Sequence, residues 1–542
     1  MGFKYLTKIE KVLLAVASGV FVLMFSVVLY KYFNYAYNAM DLAIFSNVLQ
    51  STVNGEWFFS TIQQGSYLAD HFTPILGLFV FNYWLISSPL LLLFYQVLLV
   101  CLAVWPLYLI SRHFLDEKRS LVVSLVYLLN PAVWSMVLFE FHVLPFAFFT
   151  LFFAYYFYLK DSYKFFTLFL VLSLMIREDV ALFVVMLGVL FWLLNSKKIN
   201  RYSLTAFGGG IVWFVVSMGI INLVNGGYKY AVYYNNFFEK IFSVGQLDLL
   251  FGLLAPLLFL PLLRIKYLLP AGLIYLQYLL IGGLGSVVLK GHYATLLLVA
   301  CFIALVYVLR DLFDNRIKWL IGYNEMVVVL LLVCAGVGWV FWGPVNELDK
   351  IRRPKVEKTI INEIQEIISN EDQVVSSYDL LPYFSKNEKV YSLSYVYEGT
   401  KQFSDEKYEV SEEVDYVVID DRDFIVYQLQ FGDVLENGNV DKLFEDFRLI
   451  YQMDHYSVFG RKGNTKMSSI IDYKVFSEKV GFYQVTFFNE GEVVKEDIYY
   501  FSNIMSSKDI LVPEVFDEIK SQPVVPVGSV VLNQVGMSEN EH

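Results

Sequence analysis

Cysteine and histidine are scarce in this chain, at three and six of 542 residues. Cys101, Cys301 and Cys334 all fall inside apolar runs and none has metal-ligand spacing, which excludes a cysteine-ligated metal module and leaves redox compartment unmarked. Positive charge is also in deficit: 41 Lys and Arg stand against 52 Asp and Glu, a net of −11, which excludes nucleic acid as a partner. A glycine-rich phosphate loop is missing, because Gly208-Gly209-Gly210 lies within an apolar run with no strand before it and reads as close helix packing. The features of a cleaved leader are not expected in the first apolar segment either. The first apolar segment, Val12–Tyr30, follows Lys4, Lys8 and Lys11, but it is too long for a signal-peptide core and no small-residue cleavage site follows. It is a retained first span.

What is abundant is apolar and aromatic surface. Hydrophobic residues make up 57% of the chain and aromatics 18%, and the mean hydropathy is +0.53. Residues 1–344 are long apolar segments separated by short charged ones, the pattern of a polytopic α-helical membrane protein. They carry a net charge of +6, whereas residues 345–542 carry −17. The expected organisation is a membrane domain over 1–344, an extracytoplasmic α/β domain over 345–465, and a β-rich segment and tail over 466–542.

With the first span, eleven segments are candidates to cross the membrane: Leu90–Ile110, Leu121–Phe139, Val143–Leu159, Phe165–Ile176, Val180–Leu194, Ser203–Leu223, Leu249–Leu263, Leu268–Gly285, Thr295–Leu309 and Met326–Trp342 are the others. His71–Ile86 reads as a shorter re-entrant or interfacial helix. If the N-terminus is inside, 16 of the 21 basic residues of this region fall on inner loops, as the positive-inside rule requires of a plasma-membrane protein. The odd number of spans then puts the acidic C-terminal domain outside.

Arg177, Glu178 and Asp179 interrupt the apolar run Phe165–Leu194, where charges cost several kcal/mol unless they face partners or a polar cavity. Two spans turning at the triplet keep the later basic loops on the inner side, so the triplet marks an outer turn. The first of these spans holds twelve residues, about 18 Å of helix against a core of about 30 Å, so the turn lies below the outer surface. Other polar residues gather on the same side: Asp41, Asp70, His71, Glu140, His142, Lys290 and His292. Carboxylates, imidazoles and two cations on one face are the inventory for a general base and a bound phosphate. Simpler readings stand beside each. Asp41 alone is an ordinary loop acid, Asp70 could cap a helix starting near Pro74, and Glu140 and His142 sit at a span end where polar residues are common. Glu140 and His142 could also hold a metal with Asp70 or His71, although no metal signature is present, so no cofactor is required and a divalent ion stays open. A purely structural ion pair is the simpler reading of Arg177, yet the adjoining acids cannot easily fold back onto it from consecutive positions, so at least one charge of the triplet seeks a partner elsewhere. The aromatic loop from Tyr228 to Phe238 reads as an interfacial belt, with sugar stacking as the alternative.

At Asp41-Leu42-Ala43-Ile44-Phe45, Asp70-His71-Phe72-Thr73-Pro74-Ile75-Leu76, Phe139-Glu140-Phe141-His142 and Arg177-Glu178-Asp179-Val180 the chain resembles a family of predicted membrane proteins, catalogued as a domain of unknown function and grouped with the GT-C glycosyltransferases. The resemblance continues into Gln373–Ser377 and Val414–Asp420, to about residue 460. It implies a GT-C-like fold and transfer of a sugar from a polyprenyl-phosphate donor to an acceptor (glycan, lipid or protein) on the outer face, typically with inversion. Asp41 matches the first-outer-loop acid of GT-C enzymes and would be the base; Arg177, assisted by Lys290 or His292, would hold the carrier phosphate. The first outer loop departs from several GT-C families in lacking paired adjacent acids.

In the C-terminal region, Lys355–Ile368 has helical periodicity, Gln373–Ser377 and Asp415–Ile419 read as strands, and Asp379–Phe384 and Val440–Phe447 as helices. Tyr483–Phe487 and Val493-Val494 read as a hairpin through Asn489-Glu490-Gly491, and the stretch with Pro513, Pro523 and Pro526 as a tail. Two other functional classes compete with a transferase. A transporter or lipid flippase would place the triplet on a translocation path near the midplane between repeats, and no internal repeat is visible. A non-catalytic membrane scaffold would not need the outer cluster.

Overall fold

The computed structural model describes residues 6–37, 40–225, 244–281, 285–344, 352–402, 404–420, 422–423, 427, 443, 446–461, 481–489, 492–501 and 529–536. The aromatic loop 228–238 and Pro513, Pro523 and Pro526 lie outside them. The chain forms two compact units. One comprises Met1–Phe33, Thr52–Phe58 and Ser66–Arg352; the other comprises Asn34–Ser51, Phe59–Gly65 and Arg353–His542.

In the first unit five described helices are long and apolar enough to cross a membrane: Lys8–Phe33, Pro89–Arg112, Arg201–Val224, His292–Phe313 and Asn324–Phe341. Two bent pairs raise that number to as many as seven. Glu117–Leu128 and Pro131–Phe139 meet at 40°. The Asn130 side chain accepts from the amides of Ala132 and Val133, so proline opens a new helix where the old one stops. Leu247–Leu257 and Leu260–Leu280 meet at 115° and take the place of the expected spans 249–263 and 268–285. The expected spans around 143–159, 165–176 and 180–194 are the shorter helices Phe146–Leu159, Tyr163–Leu174 and Val180–Leu194. The segment Pro74–Leu85 is also a short apolar helix, with Phe81, Trp84 and Leu85 exposed.

Polar contacts sort the loops of this unit into two sets. Arg201 pairs with Asp161 at 2.7 Å, Arg119 with Glu325 at 3.5 Å, and Arg264, Arg310 and Arg316 all converge on Asp311. In the other set, the Lys31 ammonium donates to the carbonyls of Leu138 and Phe139, Glu178 meets His71, and Arg177 meets His292. Among the described residues no ion pair joins one set to the other.

Glycine sets the closest helix packing. A Cβ on Gly188 would lie 2.4 Å from the Phe207 backbone nitrogen, and one on Gly210 would lie 2.8–3.0 Å from Val185 and Ala181. Helices Val180–Leu194 and Arg201–Asn225 therefore touch backbone to backbone at these two points. Gly208 and Gly209 meet nothing within 4 Å. Of the glycine triplet only Gly210 packs, because three consecutive helical positions point to different sides.

The second unit contains a five-stranded mixed sheet of β1 (Val374–Ser376), β2 (Val390–Ser392), β3 (Tyr416–Asp420), β4 (Phe447–Met453) and β5 (Tyr456–Arg461), in the spatial order β2-β1-β3-β5-β4. β1 runs parallel to β2 and β3, and β5 runs antiparallel to β3 and β4. Strands β1, β2 and β3 are buried at every residue, which is why β1 and β3 read as short apolar runs without alternation. Helix Lys355–Ile367 buries Ile360, Ile361 and Ile364, the stripe that its periodicity predicts. Phe447, expected in a helix, begins strand β4, and residues 440–442 lie outside the described ones. The expected hairpin is present as β6 (Gly481–Asn489) and β7 (Glu492–Phe501), although its turn residues 490–491 are not described. β8 (Ser529–Gly536), within the stretch expected to be a tail, pairs antiparallel with β6.

Candidate active site

The charged triplet occupies a non-helical turn between helices Tyr163–Leu174 and Val180–Leu194. The Met175 carbonyl just before it accepts from the amide of Ile75, so the turn is tied to the Asp70–Ile75 segment. All three charged residues are buried, at 4–6% exposure. Asp179 folds back onto Arg177: Nε donates to Oδ1 at 2.9 Å, and the second arm of the guanidinium closes the fork on Oδ2. Two residues of separation on a turn allow this approach, which adjacent helical positions would not. Glu178 is the acid that reaches elsewhere, accepting from His71 Nδ1 at 2.8 Å and from the Phe72 amide at 3.1 Å.

The remaining arm of Arg177 contacts His292 Nε2 at 3.2 Å. Arginine only donates, so Nε2 accepts, and the imidazole is neutral with its proton on Nδ1. The His292 ring lies against His142, with centroids 3.4 Å apart, and against Tyr293 at 3.9 Å. The turn carrying Glu140 and His142 is held by Gln96, whose Nε2 donates to the carbonyls of Met136 and Glu140 and whose Oε1 accepts from the His142 amide at 2.9 Å. His71 lies in the loop before Pro74. Burial pushes its pKa down, but the Glu178 carboxylate outweighs burial and holds it above the ordinary histidine value.

Six predicted residues therefore converge within the membrane unit: His71, Glu178, Arg177, Asp179, His292 and His142. Glu140 joins them through Gln96, and its carboxylate and the His142 imidazole present ligand atoms within 4.8 Å of each other. Asp70 is buried beside His71, and the cap position before Pro74 belongs to Thr73, whose side chain makes no capping bond. Lys290 ends the short helix Gly285–Lys290 and stays exposed. Asp41 lies in the first turn of helix Met40–Val53, which belongs to the second unit as far as Ser51. Gln96 was not anticipated. Its signal is present in the sequence, as the one amide in the apolar run Leu90–Cys101.

These features define a multi-pass helical membrane protein with a buried ionisable cluster between its apolar helices. The chain belongs to the DUF2079 family of predicted membrane proteins, whose family model matches residues 31–448 and takes in every motif on which the sequence resemblance rests. None of the curated proteins matches the sequence. Among solved structures the chain is similar to ArnT from Cupriavidus metallidurans bound to undecaprenyl phosphate, with 11% identity, 84% of this chain and 98% of that one covered, and a TM-score of 0.49. It is also similar to the Archaeoglobus fulgidus oligosaccharyltransferase in its apo form (13% identity, 84% and 75% covered, TM-score 0.40). A third similarity is to the arabinofuranosyltransferase AftD from Mycobacteria (10% identity, 86% and 40% covered, TM-score 0.38).

Proposed function

We propose that the chain is an integral-membrane glycosyltransferase that moves a sugar from a polyprenyl-phosphate carrier to an acceptor hydroxyl on the outer face, with inversion. The observation that carries this reading is the buried Arg177–Asp179–His292–His142 cluster with its His71–Glu178 neighbour. An apolar helical unit keeps ionisable groups at such a position when they meet a charged ligand or intermediate. The Asp41 carboxylate takes the proton of the acceptor hydroxyl as that oxygen attacks the anomeric carbon. The bond from this carbon to the carrier phosphate breaks, and the phosphate leaves with the electron pair. Arg177 compensates the charge gained by the leaving oxygen, with its guanidinium shared between Asp179 and His292 beforehand and turned to phosphate in the transition state. Lys290 adds positive charge at the outer surface. Glu140 and His142 are the residues that would hold a divalent ion, which would supply further neutralisation of the phosphate. In this reading the N-terminus is cytoplasmic and the C-terminal unit lies outside, which the excess of basic residues on the expected inner loops supports.

The test is release of free carrier phosphate from a polyprenyl-phosphate sugar by the purified protein. Release by the natural chain and its loss in Asp41→Asn are expected. If the two proteins release equal amounts, the base assignment is lost. Chelation by EDTA, reversed by added divalent ion, is the expected sign of the Glu140–His142 ion.

A further inference from the structure

The segment that carries Asp41 is built into the C-terminal unit by hydrogen bonds that span more than 300 residues of sequence. The Tyr37 amide donates to the Tyr383 hydroxyl at 3.0 Å, and the Tyr35 hydroxyl reaches Asn362 and Gln365. Inside helix Met40–Val53, Ser46 accepts from the Ser385 hydroxyl at 2.8 Å, with both residues fully buried. One position on, Asn47 Oδ1 accepts from the Thr61 amide at 2.8 Å and from the Ser60 hydroxyl at 3.2 Å. Thr61 then takes the place of a strand neighbour for β2. Its hydroxyl donates to the Val390 carbonyl at 2.8 Å and accepts from the Val390 amide at 3.0 Å. Next to it, the Ile62 carbonyl accepts from the buried Tyr408 hydroxyl at 2.9 Å.

The helix is packed on its apolar side chains, with Leu42, Ala43, Ile44, Phe45, Val48 and Leu49 at 0–3% exposure, and the polar bonds add a register to that packing. It is fourteen residues long and its sequence offers no apolar stripe long enough to cross a membrane, whereas its polar side chains Ser46 and Asn47 are at 0–1% exposure. Buried polar groups of this kind admit only arrangements that satisfy all of them, so they select one placement of a helix where apolar packing alone tolerates several. Asp41 is five residues, little more than one turn, from Ser46.

We infer that the C-terminal unit is the positioning frame of the catalytic loop: Thr61, Ser385 and Asn47 hold helix Met40–Val53, and through it fix the place of the Asp41 carboxylate. The inference rests on the proposed role of Asp41 as the base, and gives the acidic C-terminal region a part in turnover without contact with donor or acceptor. Thr61, Ser385 and Asn47 are positioning residues in this account.

The experiment compares Thr61→Val, Thr61→Ser and Ser385→Ala in the full-length protein. Valine keeps the branched shape and removes the hydroxyl; serine keeps the hydroxyl. In Thr61→Val and Ser385→Ala, amide exchange in residues 40–53 is expected to be about tenfold faster, while the helices of the membrane unit exchange as before. The kcat for carrier-phosphate release falls about tenfold and the KM for the donor stays within about twofold, because misplacement of a base acts on the chemical step. Thr61→Ser restores both readouts. Unchanged exchange in 40–53 in the two hydroxyl-deleted variants overturns the inference whatever their activity, as does faster exchange with unchanged kcat. If the natural chain releases no carrier phosphate at all, the glycosyltransferase reading fails, and the exchange measurement alone decides whether the C-terminal unit holds this helix.

Discussion

Arg177 combines two demands on one guanidinium. In the structure its charge is balanced by Asp179, and its third contact is a neutral imidazole. Removing one partner of such a buried pair is far worse than removing both, because the survivor keeps its desolvation penalty without compensation. Arg177→Ala is therefore expected to lower stability by ~3–5 kcal/mol, read as a fall in the unfolding midpoint in detergent, and the double variant Arg177→Ala/Asp179→Ala to regain most of that loss. Carrier-phosphate release stays absent in both if the arginine also meets the leaving phosphate. A double variant that recovers turnover along with stability would assign Arg177 to structure alone. The same residues show what could be read without coordinates. The triplet is conspicuous because charge inside an apolar run is costly unless it is paired, and the need for a partner beyond the triplet is met by His71. That Asp179 and not Glu178 would fold back depends on turn dihedrals, which carry no residue-type signal at this position.

Helix packing between Val180–Leu194 and Arg201–Asn225 turns on single hydrogen atoms. Gly188→Ala and Gly210→Ala push a methyl group into backbone, and each is expected to cost ~1–3 kcal/mol in thermal unfolding. Gly208→Ala and Gly209→Ala meet open space and are expected to leave the midpoint unchanged or slightly higher. In the mixed sheet, charge is concentrated beyond the carboxyl ends of β1 and β3. Arg353 pairs with Asp379 at 2.8 Å, Arg422 with Asp420, and the Tyr456 hydroxyl joins Arg353, Arg422 and Glu357. Burial first, and the neighbouring carboxylates second, push Asp423 up to about 8 and Asp379 up to about 6. Both values lie above the unfolded carboxylate value, so the stability they confer is complete below about pH 4 and is lost as pH rises through 6 and 8. The unfolding midpoint of the C-terminal unit should fall over that window, and Asp423→Asn should flatten its upper part. The strands that frame this network were legible where apolar runs are bounded by polar residues, as at Gln373–Ser377. β2, β4 and β5 were not: β2 has only three residues, and Phe447 at the start of β4 reads as the end of a helix over Val440–Phe447.

The division of the chain into two units does not follow the order of its sequence. Composition separates an apolar first part from an acidic second part near residue 345, yet Asn34–Ser51 and Phe59–Gly65 belong with the acidic part. A hydropathy profile places those residues in a loop between spans and cannot show which body the loop joins, because that depends on hydrogen bonds such as Thr61 with Val390. The position of apolar segments is legible for the same reason that loop membership is not: bilayer insertion acts on every apolar segment alike, whereas docking acts on particular pairs; the number of full-length spans is not, since five to seven described helices are long enough to cross where eleven were expected. The proposed sidedness rests on the distribution of charge. Lys198 and Lys290 are both exposed, one among the basic inner loops and the other near the Arg177 cluster. With Cys334 replaced by alanine and the buried Cys101 and Cys301 retained, single cysteines at these two positions can be probed on intact cells with a membrane-impermeant maleimide. Lys290→Cys is expected to label at once and Lys198→Cys only after the membrane is opened. Labelling of both from outside would break the alternation of spans on which the outer-face reaction depends. The reverse pattern would keep the alternation and move the cluster to the cytoplasmic side, where an outer-face acceptor could not reach it.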